Sequence, residues 1–261
     1  MKVIPESHPR KDSLLARKKI VEGSANGLLA PSAMIAHGRG EAFDYLLGEK
    51  TTEAARSAIR EAAARLSSAE DPVISVNGNT VVLAGKEIVR LAAVLSCPIE
   101  VNLYYRTPER VAGLLSKLGE QKEAVSKEPG PEGFEGNWVE AVGAVRLLGE
   151  DPDSRILGLE GPRSLCTKVG LGSADCILVP LEDGDRCEAL VRSGTEVIVV
   201  DLNPLSRSSI MATVTIVDEI SRAAKILLEE VLRGGSTTLD WDNDEVLRSS
   251  LSCMADSVRR V

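Results

Sequence analysis

The sequence predicts an α/β fold, a mostly parallel sheet with helices on both faces behind a helical N-terminal region. Three observations carry that expectation. From residue 73 onward, short β-branched runs alternate with helical patterns, the rhythm of strand–helix–strand units. Residues 13–69, by contrast, read as a helical N-terminal region. Aromatics make up only 3% of the chain against 43% hydrophobic residues, so Ala, Val, Leu and Ile must build the core.

The helical region is interrupted by Pro31, after which Ile35, Ala42, Leu46 and Leu47 fall near helical spacing. Thr51-Thr52-Glu53 opens the next helix, rich in the good helix former Ala from Ala54 to Ala64. A first strand is expected at 73–76, ending in Asn77-Gly78-Asn79, then a helix at 86–95 and a strand at 99–104. Thr107-Pro108-Glu109 starts a helix, with Thr as cap and Pro at the first position. Residues 120–137, carrying Pro129, Gly130, Pro131, Gly133 and Gly136, read as a loop or mobile insertion. Alternation resumes at 176–181, 186–193, 196–202, 213–217 and 219–232. A last helix bears Leu247, Leu251, Met254 and Val258 as a stripe behind Asp240, Asp242 and Asp244. That stripe packs either on the protein's own core or at a subunit interface. One domain is expected: a helical layer over 1–70, a core over 71–235 and a C-terminal helix over 236–261.

Composition narrows the functional classes. The net charge is -8, and the shortage of aromatic stacking faces adds to the case against nucleic acid as a partner. Residues 1–20 nevertheless carry six basic side chains (Lys2, Arg10, Lys11, Arg17, Lys18, Lys19) against Glu6 and Asp12, a patch suited to a small anion or a solvated helix face. The five cysteines are scattered and never in CxxC spacing, which argues against a disulfide framework or a zinc site and for a reducing compartment. No apolar run approaches ~18 residues, and the N-terminus lacks a signal-peptide apolar stretch. The expectation is a cytoplasmic protein with no membrane partner and no metal site of its own.

In open α/β sheets ligands bind at the carboxyl ends of strands. Asn77-Gly78-Asn79 is one such end: Gly lets backbone approach a ligand and the Asn amides offer donors, or the segment is only a tight polar turn. Gly78 to Gly85-Lys86 is a false P-loop, with glycines seven apart rather than five and Glu87 where a hydroxyl residue belongs. Lys86 remains a candidate point charge for a phosphate, or a solvated lysine. Asp183-Gly184-Asp185-Arg186, after Leu181-Glu182, offers acids that cap a helix or meet a ribose hydroxyl. Asp201, with Leu202 and Asn203, ends another strand where an acid can accept ribose hydroxyls; Arg207 lies in the hydroxyl-rich segment beyond. His37-Gly38-Arg39-Gly40-Glu41 places two glycines, each costing a helix roughly 1 kcal/mol, around one arginine; a ligand's approach or a helix break would explain them.

Taken together, these segments resemble the archaeal 4-phosphopantoate–β-alanine ligase family, also called phosphopantothenate synthetase. The resemblance runs over roughly residues 4–235, carried by Ile4-Pro5, Ser7-His8-Pro9-Arg10, Arg17, the Ile35 to Leu46 string, Pro72 to Asn79, Val179 to Arg186 and Val200 to Arg207. It departs at Leu157 and Gly161, where similar sequences tend to carry Pro and His, and across 120–150. It implies a Rossmann-like homodimer in coenzyme A synthesis that joins 4-phosphopantoate to β-alanine using ATP, through an acyl-adenylate, with Mg2+ expected on the nucleotide. It also implies that Arg17, Arg39, Asp183 to Arg186 and Asp201 to Asn203 contribute to the ATP site. His37, Asn77, Gly78, Asn79, Arg106 and Arg207 are candidates for the phosphopantoate side, and Arg39 and Lys86 for catalysis. A nucleotide-sensing regulator and a small-molecule kinase are the alternative functions on such a fold.

Overall fold

The computed structural model describes residues 4–181, 183–238 and 240–257. Lys2, Glu182 and Val258, named above, lie outside the described residues. Three helices come first: α1 (Lys11–Ala25), α2 (Pro31–Leu47) and α3 (Glu53–Ser68). Pro31 sits at the start of α2, where its missing N–H costs nothing. Thr52 caps α3 by accepting from the Ala55 N–H. Gly38 and Gly40 do not break α2, which runs through both, so the helix-break reading of that segment is corrected.

The sheet follows: β1 (Pro72–Val76), α4 (Gly78–Leu95), β2 (Ile99–Val101), α5 (Pro108–Ser126), α6 (Trp138–Ala144) and β3 (Leu147–Leu148). A short antiparallel pair, β4 (Ser154–Arg155) and β5 (Leu165–Cys166), precedes the second half. That half is β6 (Cys176–Pro180), α7 (Gly184–Arg192), β7 (Glu196–Val200), α8 (Arg207–Met211), β8 (Val214–Ile216), α9 (Ile220–Arg233) and finally α10 (Asn243–Ala255). The six main strands pair in parallel in the order β3-β2-β1-β6-β7-β8. Leaving out the small antiparallel pair, this is the strand order of dinucleotide-binding sheets, and it reverses direction between β1 and β6.

Both faces of the sheet are covered, so its strands are apolar on both sides. Ile74, Val76, Leu178, Ile198 and Ile216 join a core with α3, α4, α5 and α9. Val73, Ile177, Val179, Val197 and Val199 face the other way, onto Cys187 and Leu190 of α7 and onto Ile156, Cys166 and Leu171 of the β4–β5 region. Leu247 and Met254 of α10 are buried against Leu47, Leu202 and Val217, which gives the C-terminal stripe a partner inside the chain.

Several boundaries differ from expectation for local reasons. The helix expected at 86–95 begins at Gly78, because Asn77 caps it through the Thr80 N–H at 3.1 Å. Residues 120–126 belong to α5 rather than to a loop. The second strand stops at Val101, since Leu103, Tyr104 and Tyr105 turn across the sheet's end. Gly85 is mid-helix, and a Cβ there would stand 2.1 Å from the Gln121 side chain; packing against α5 therefore explains this glycine of the false P-loop. Among the described residues no helix is long and apolar enough to cross a membrane.

Candidate functional site

The helical N-terminal layer lies across the carboxyl edge of the sheet, and α2 roofs a cavity of about 430 Å³ there. Five strand ends supply its other walls: Asn77 after β1, Tyr104 and Tyr105 after β2, Leu181 and Asp183 after β6, Leu202 after β7, and Asp218 and Glu219 after β8. Its size falls within the range of small-molecule sites, and it sits at the switch point where open sheets bind ligands.

The β1 end is built by Asn77. Its Oδ1 accepts from the Thr80 N–H, and its Nδ2 donates to the Leu181 carbonyl at 2.9 Å. Gly78 opens α4 into the cavity, but a Cβ there would lie 2.7 Å from Leu29 Cδ2 and 2.9 Å from the Leu28 carbonyl. The closest approach requiring this glycine is thus the chain's own α1–α2 connection. Asn79, 7% exposed, donates to the Ala33 carbonyl of α2 at 3.2 Å while its Oδ1 has no partner among the described residues.

The roof carries Arg39, His37 and Glu41. Arg39 is exposed and, among the described residues, makes no hydrogen bond or ion pair; its charge is felt by the Asp201 carboxyl. His37 Nε2 is buried without a partner among the described residues, and burial lowers the imidazole pKa. Arg17 lies at the rim and does not line the cavity; it forks onto Glu41 at 2.5–3.0 Å, and Arg10 adds a contact at 2.7 Å. Hydrogen bonds from Arg17, foremost, hold the Glu41 carboxyl below the usual range.

Beneath the roof, Asp44 and Asp218 are nearly wholly buried and share Arg222. Burial works against the Arg222 charge, yet the two carboxylates raise its pKa, and the pairing satisfies both acids. Glu219 caps α9, its Oε2 accepting from the N–H groups of Ser221 and Arg222 at 2.9 and 3.1 Å. Among the described residues its Oε1 is buried without a hydrogen-bond partner, and burial raises the carboxyl pKa.

Arg110, which sequence reasoning passed over, lines the cavity from the first turn of α5. Its Nη1 donates to the Tyr105 carbonyl, its Nε is buried without a partner among the described residues, and burial lowers its pKa. The signal available was its place three residues after the Thr107 cap, at a helix start following a strand. Arg163 was also missed. It bridges Asp183 and Asp185 at 2.7 and 3.0 Å and lies 5.5 Å over the Tyr104 ring, bracing the rim.

The remaining sequence candidates disperse. Asp183 caps α7 and lines the cavity, whereas Gly184 makes room for Arg207, whose Cβ would be 2.7 Å from an added methyl. Arg186 is buried beneath the sheet, donating to Ser75 Oγ at 3.2 Å. Asp201 spends its carboxylate on the Asn203 N–H at 2.9 Å and the Ser206 hydroxyl at 2.6 Å, shaping the turn that delivers Leu202 to the cavity. Burial raises its pKa. Asn203 in turn accepts from the Leu205 N–H at 3.0 Å. Arg207 pairs with Asp185 and Glu188 on an outer surface, and Arg106 donates to the Gly149 carbonyl beside a different groove. Lys86 pairs with Glu128 at 2.9 Å and does not line the cavity. Among the described residues, no three His, Cys, Asp or Glu side chains gather as a metal site.

Comparison with known proteins gives this geometry a family. The profile of the phosphopantothenate/pantothenate synthetase family matches residues 54–132 and 134–257. A 4-phosphopantoate–β-alanine ligase of Thermococcus onnurineus is 44% identical over 266 residues, covering 99% of this chain and 94% of its own. Proteins of the same name from Thermococcus kodakarensis and Methanospirillum hungatei are 49% and 48% identical, covering 87% and 85% of this chain and 79% and 82% of theirs. With the profile matching most of the chain and relatives alike over nearly its full length, the chain belongs to the phosphopantothenate/pantothenate synthetase family.

Proposed function

We propose that this chain condenses 4-phosphopantoate with β-alanine using ATP, giving 4′-phosphopantothenate, AMP and pyrophosphate for coenzyme A synthesis in the cytoplasm. The observation that carries the reading is the cavity at the switch point, where five strand ends and an arginine-bearing helix converge. Joining a carboxylate to a phosphoanhydride brings anions together, so fixed cations and helix N-termini are the main requirement. Arg39, which has no ion-pair partner among the described residues, meets the triphosphate in this reading. The open start of α4 at Gly78 and Asn79 favours a phosphate or carboxylate. The turn of Asp201, Leu202 and Asn203 suits the nucleoside, and Arg17 acts by holding Glu41. Mg2+ would come with the nucleotide and would supply screening of its phosphate charge. The substrate carboxylate attacks ATP directly, so no side-chain nucleophile is required.

The active form is a homodimer in this reading. Met34, Ile35 and Leu46 stand exposed along α2, an apolar surface suited to a second copy. Sedimentation at micromolar concentration tests it, and a clean monomer would count against it. Incubation with ATP, β-alanine and 4-phosphopantoate followed by mass analysis tests the chemistry. AMP with pyrophosphate supports the ligase, ADP points to a kinase, and unchanged ATP to a sensor.

A further inference from the structure

Buried polar atoms without partners are rare in folded proteins, and each calls for an explanation. Among the described residues, four such atoms belong to residues lining this one cavity: His37 Nε2, Asn79 Oδ1, Arg110 Nε and Glu219 Oε1. Their chemistry is divided. Asn79 Oδ1 and Glu219 Oε1 are acceptors on the adjoining helices α4 and α9, whereas Arg110 Nε–H is a charged donor on α5. Two buried acceptors, one of them a carboxylate oxygen, call for a donor-rich cation; the guanidinium calls for an anion. A small zwitterion carrying an ammonium at one end and a carboxylate at the other supplies both.

Resting on the ligase reading above, we propose that Glu219 is the group that binds the ammonium of β-alanine and takes its proton. Its two oxygens have separate duties. Oε2 is fixed by the first N–H groups of α9, so the carboxylate cannot turn away, while Oε1 is left without a hydrogen-bond partner among the described residues. The other acids on that side are committed: Asp44 and Asp218 both bind Arg222, and Asp218 also accepts from the Thr51 hydroxyl at 2.6 Å. Burial raises the Glu219 carboxyl, opposed by hydrogen bonds from the Ser221 N–H and hydroxyl and by the Arg222 charge; burial prevails and leaves the carboxyl a better proton acceptor than a solvated glutamate.

The step balances. Glu219 removes one proton from the ammonium, and the freed nitrogen lone pair attacks the acyl carbon of the adenylate. The C–N bond forms and the C–O bond to the adenylate phosphate breaks, its electron pair leaving with AMP. The nitrogen's second proton and the one held by Glu219 pass to water. Asn79 Oδ1 accepts a hydrogen bond from the same nitrogen and is a positioning group.

Glu219→Gln tests the assignment, because a glutamine oxygen still caps α9 but does not act as the base. Three rates are compared with wild type: phosphopantoate-dependent pyrophosphate exchange into ATP, AMP release with β-alanine, and AMP release with hydroxylamine, a nucleophile already uncharged at neutral pH. The expected result is exchange and hydroxylamine rates within about threefold of wild type, with β-alanine turnover reduced about 10²-fold or more. Near-normal β-alanine turnover, or an equal loss of all three rates in a folded variant, overturns the role. If the glutamine variant melts early, Glu219→Asp keeps a capping carboxylate while withdrawing the acceptor, and the same pattern is required of it. Absence of exchange in the wild type instead overturns the adenylate reading, and the assignment with it.

Discussion

The Asn77 side-chain amide donates to the Leu181 carbonyl at 2.9 Å, tying the carboxyl ends of the parallel neighbours β1 and β6 together at the cavity. Leu181 has φ +57°, a left-handed conformation that costs a non-glycine residue roughly 1–2 kcal/mol. It is held from both sides, since its N–H also donates to the Val200 carbonyl at 3.0 Å. The other end of the Asn77 amide caps α4. One side chain therefore fixes both a helix start and the turn facing it across the switch point.

Asn77→Ala removes the cap and the tie together. The cap is worth about 1 kcal/mol and the second hydrogen bond a similar amount, so a loss of roughly 2–3 kcal/mol is expected. Asn77→Ser keeps the cap and loses the tie, so its loss is about half as large. Denaturant melts of the two variants check this, and an alanine variant as stable as wild type contradicts it.

Gly78 and Gly38 should respond to alanine in opposite directions. A Cβ at Gly78 meets the Leu28 backbone and Leu29, so overpacking is expected to cost roughly 1–3 kcal/mol. At Gly38 nothing lies within 4 Å, and the position is exposed inside a helix, so Gly38→Ala should add up to about 1 kcal/mol. If a nucleotide packs over α2 at this point, the same stabilised variant binds ATP more weakly. Melting and ATP titration of Gly38→Ala separate the two effects.

The ion pairs of Glu41 make part of the stability depend on pH. Hydrogen bonds from Arg17 and Arg10 depress its carboxyl below the ordinary value of 4.5. A depressed acid contributes stability that is complete above the unfolded pKa and is lost as pH falls through the folded one. Wild type should therefore lose this contribution only below about pH 4.5, and Glu41→Gln should flatten that part of the profile. Unfolding free energies measured from pH 7 downward give the comparison; parallel profiles would remove Glu41 from the linkage.

Much of the architecture was legible in the sequence because the strands are buried on both faces. Runs such as Val197 to Val200 are continuously β-branched, and that signal survives without knowledge of neighbours. Helix starts were legible where a cap and proline coincide, as at Thr107-Pro108, and missed at Asn77, where the cap followed a strand with no intervening loop. The site was half legible. Several strand-end residues and the Arg39 segment line the cavity because their positions follow from the fold class. Glu219, Arg110 and Asp44 were missed because each reads locally as an ordinary cap or helix residue, and only the packing of α2 over the sheet makes them neighbours. Lys86 and Arg207 misled for the converse reason: their charges are answered by Glu128, Asp185 and Glu188, which lie far away in sequence.

Arg39 is the decisive test of the proposed chemistry. It is exposed on α2, flanked by glycines, lines the cavity and, among the described residues, has no hydrogen-bond or ion-pair partner. Three other cations near the cavity are already paired with carboxylates, Arg17 with Glu41, Arg163 with Asp183 and Asp185, and Arg222 with Asp44 and Asp218, while Arg110 reaches the cavity from the opposite element, α5. Removing Arg39 therefore leaves no buried carboxylate unpaired, and the melting temperature should hardly move. If its guanidinium binds the triphosphate or the developing phosphoanhydride, Arg39→Ala should lower turnover on the order of 10²–10³-fold. Arg39→Lys should fail nearly as badly, because a point charge does not reproduce a bidentate fork. Turnover and melting of both variants decide the matter. A well-folded Arg39→Ala protein that still releases AMP at a near-normal rate would take Arg39 out of the mechanism, and a lysine variant with full activity would reduce its role to charge alone.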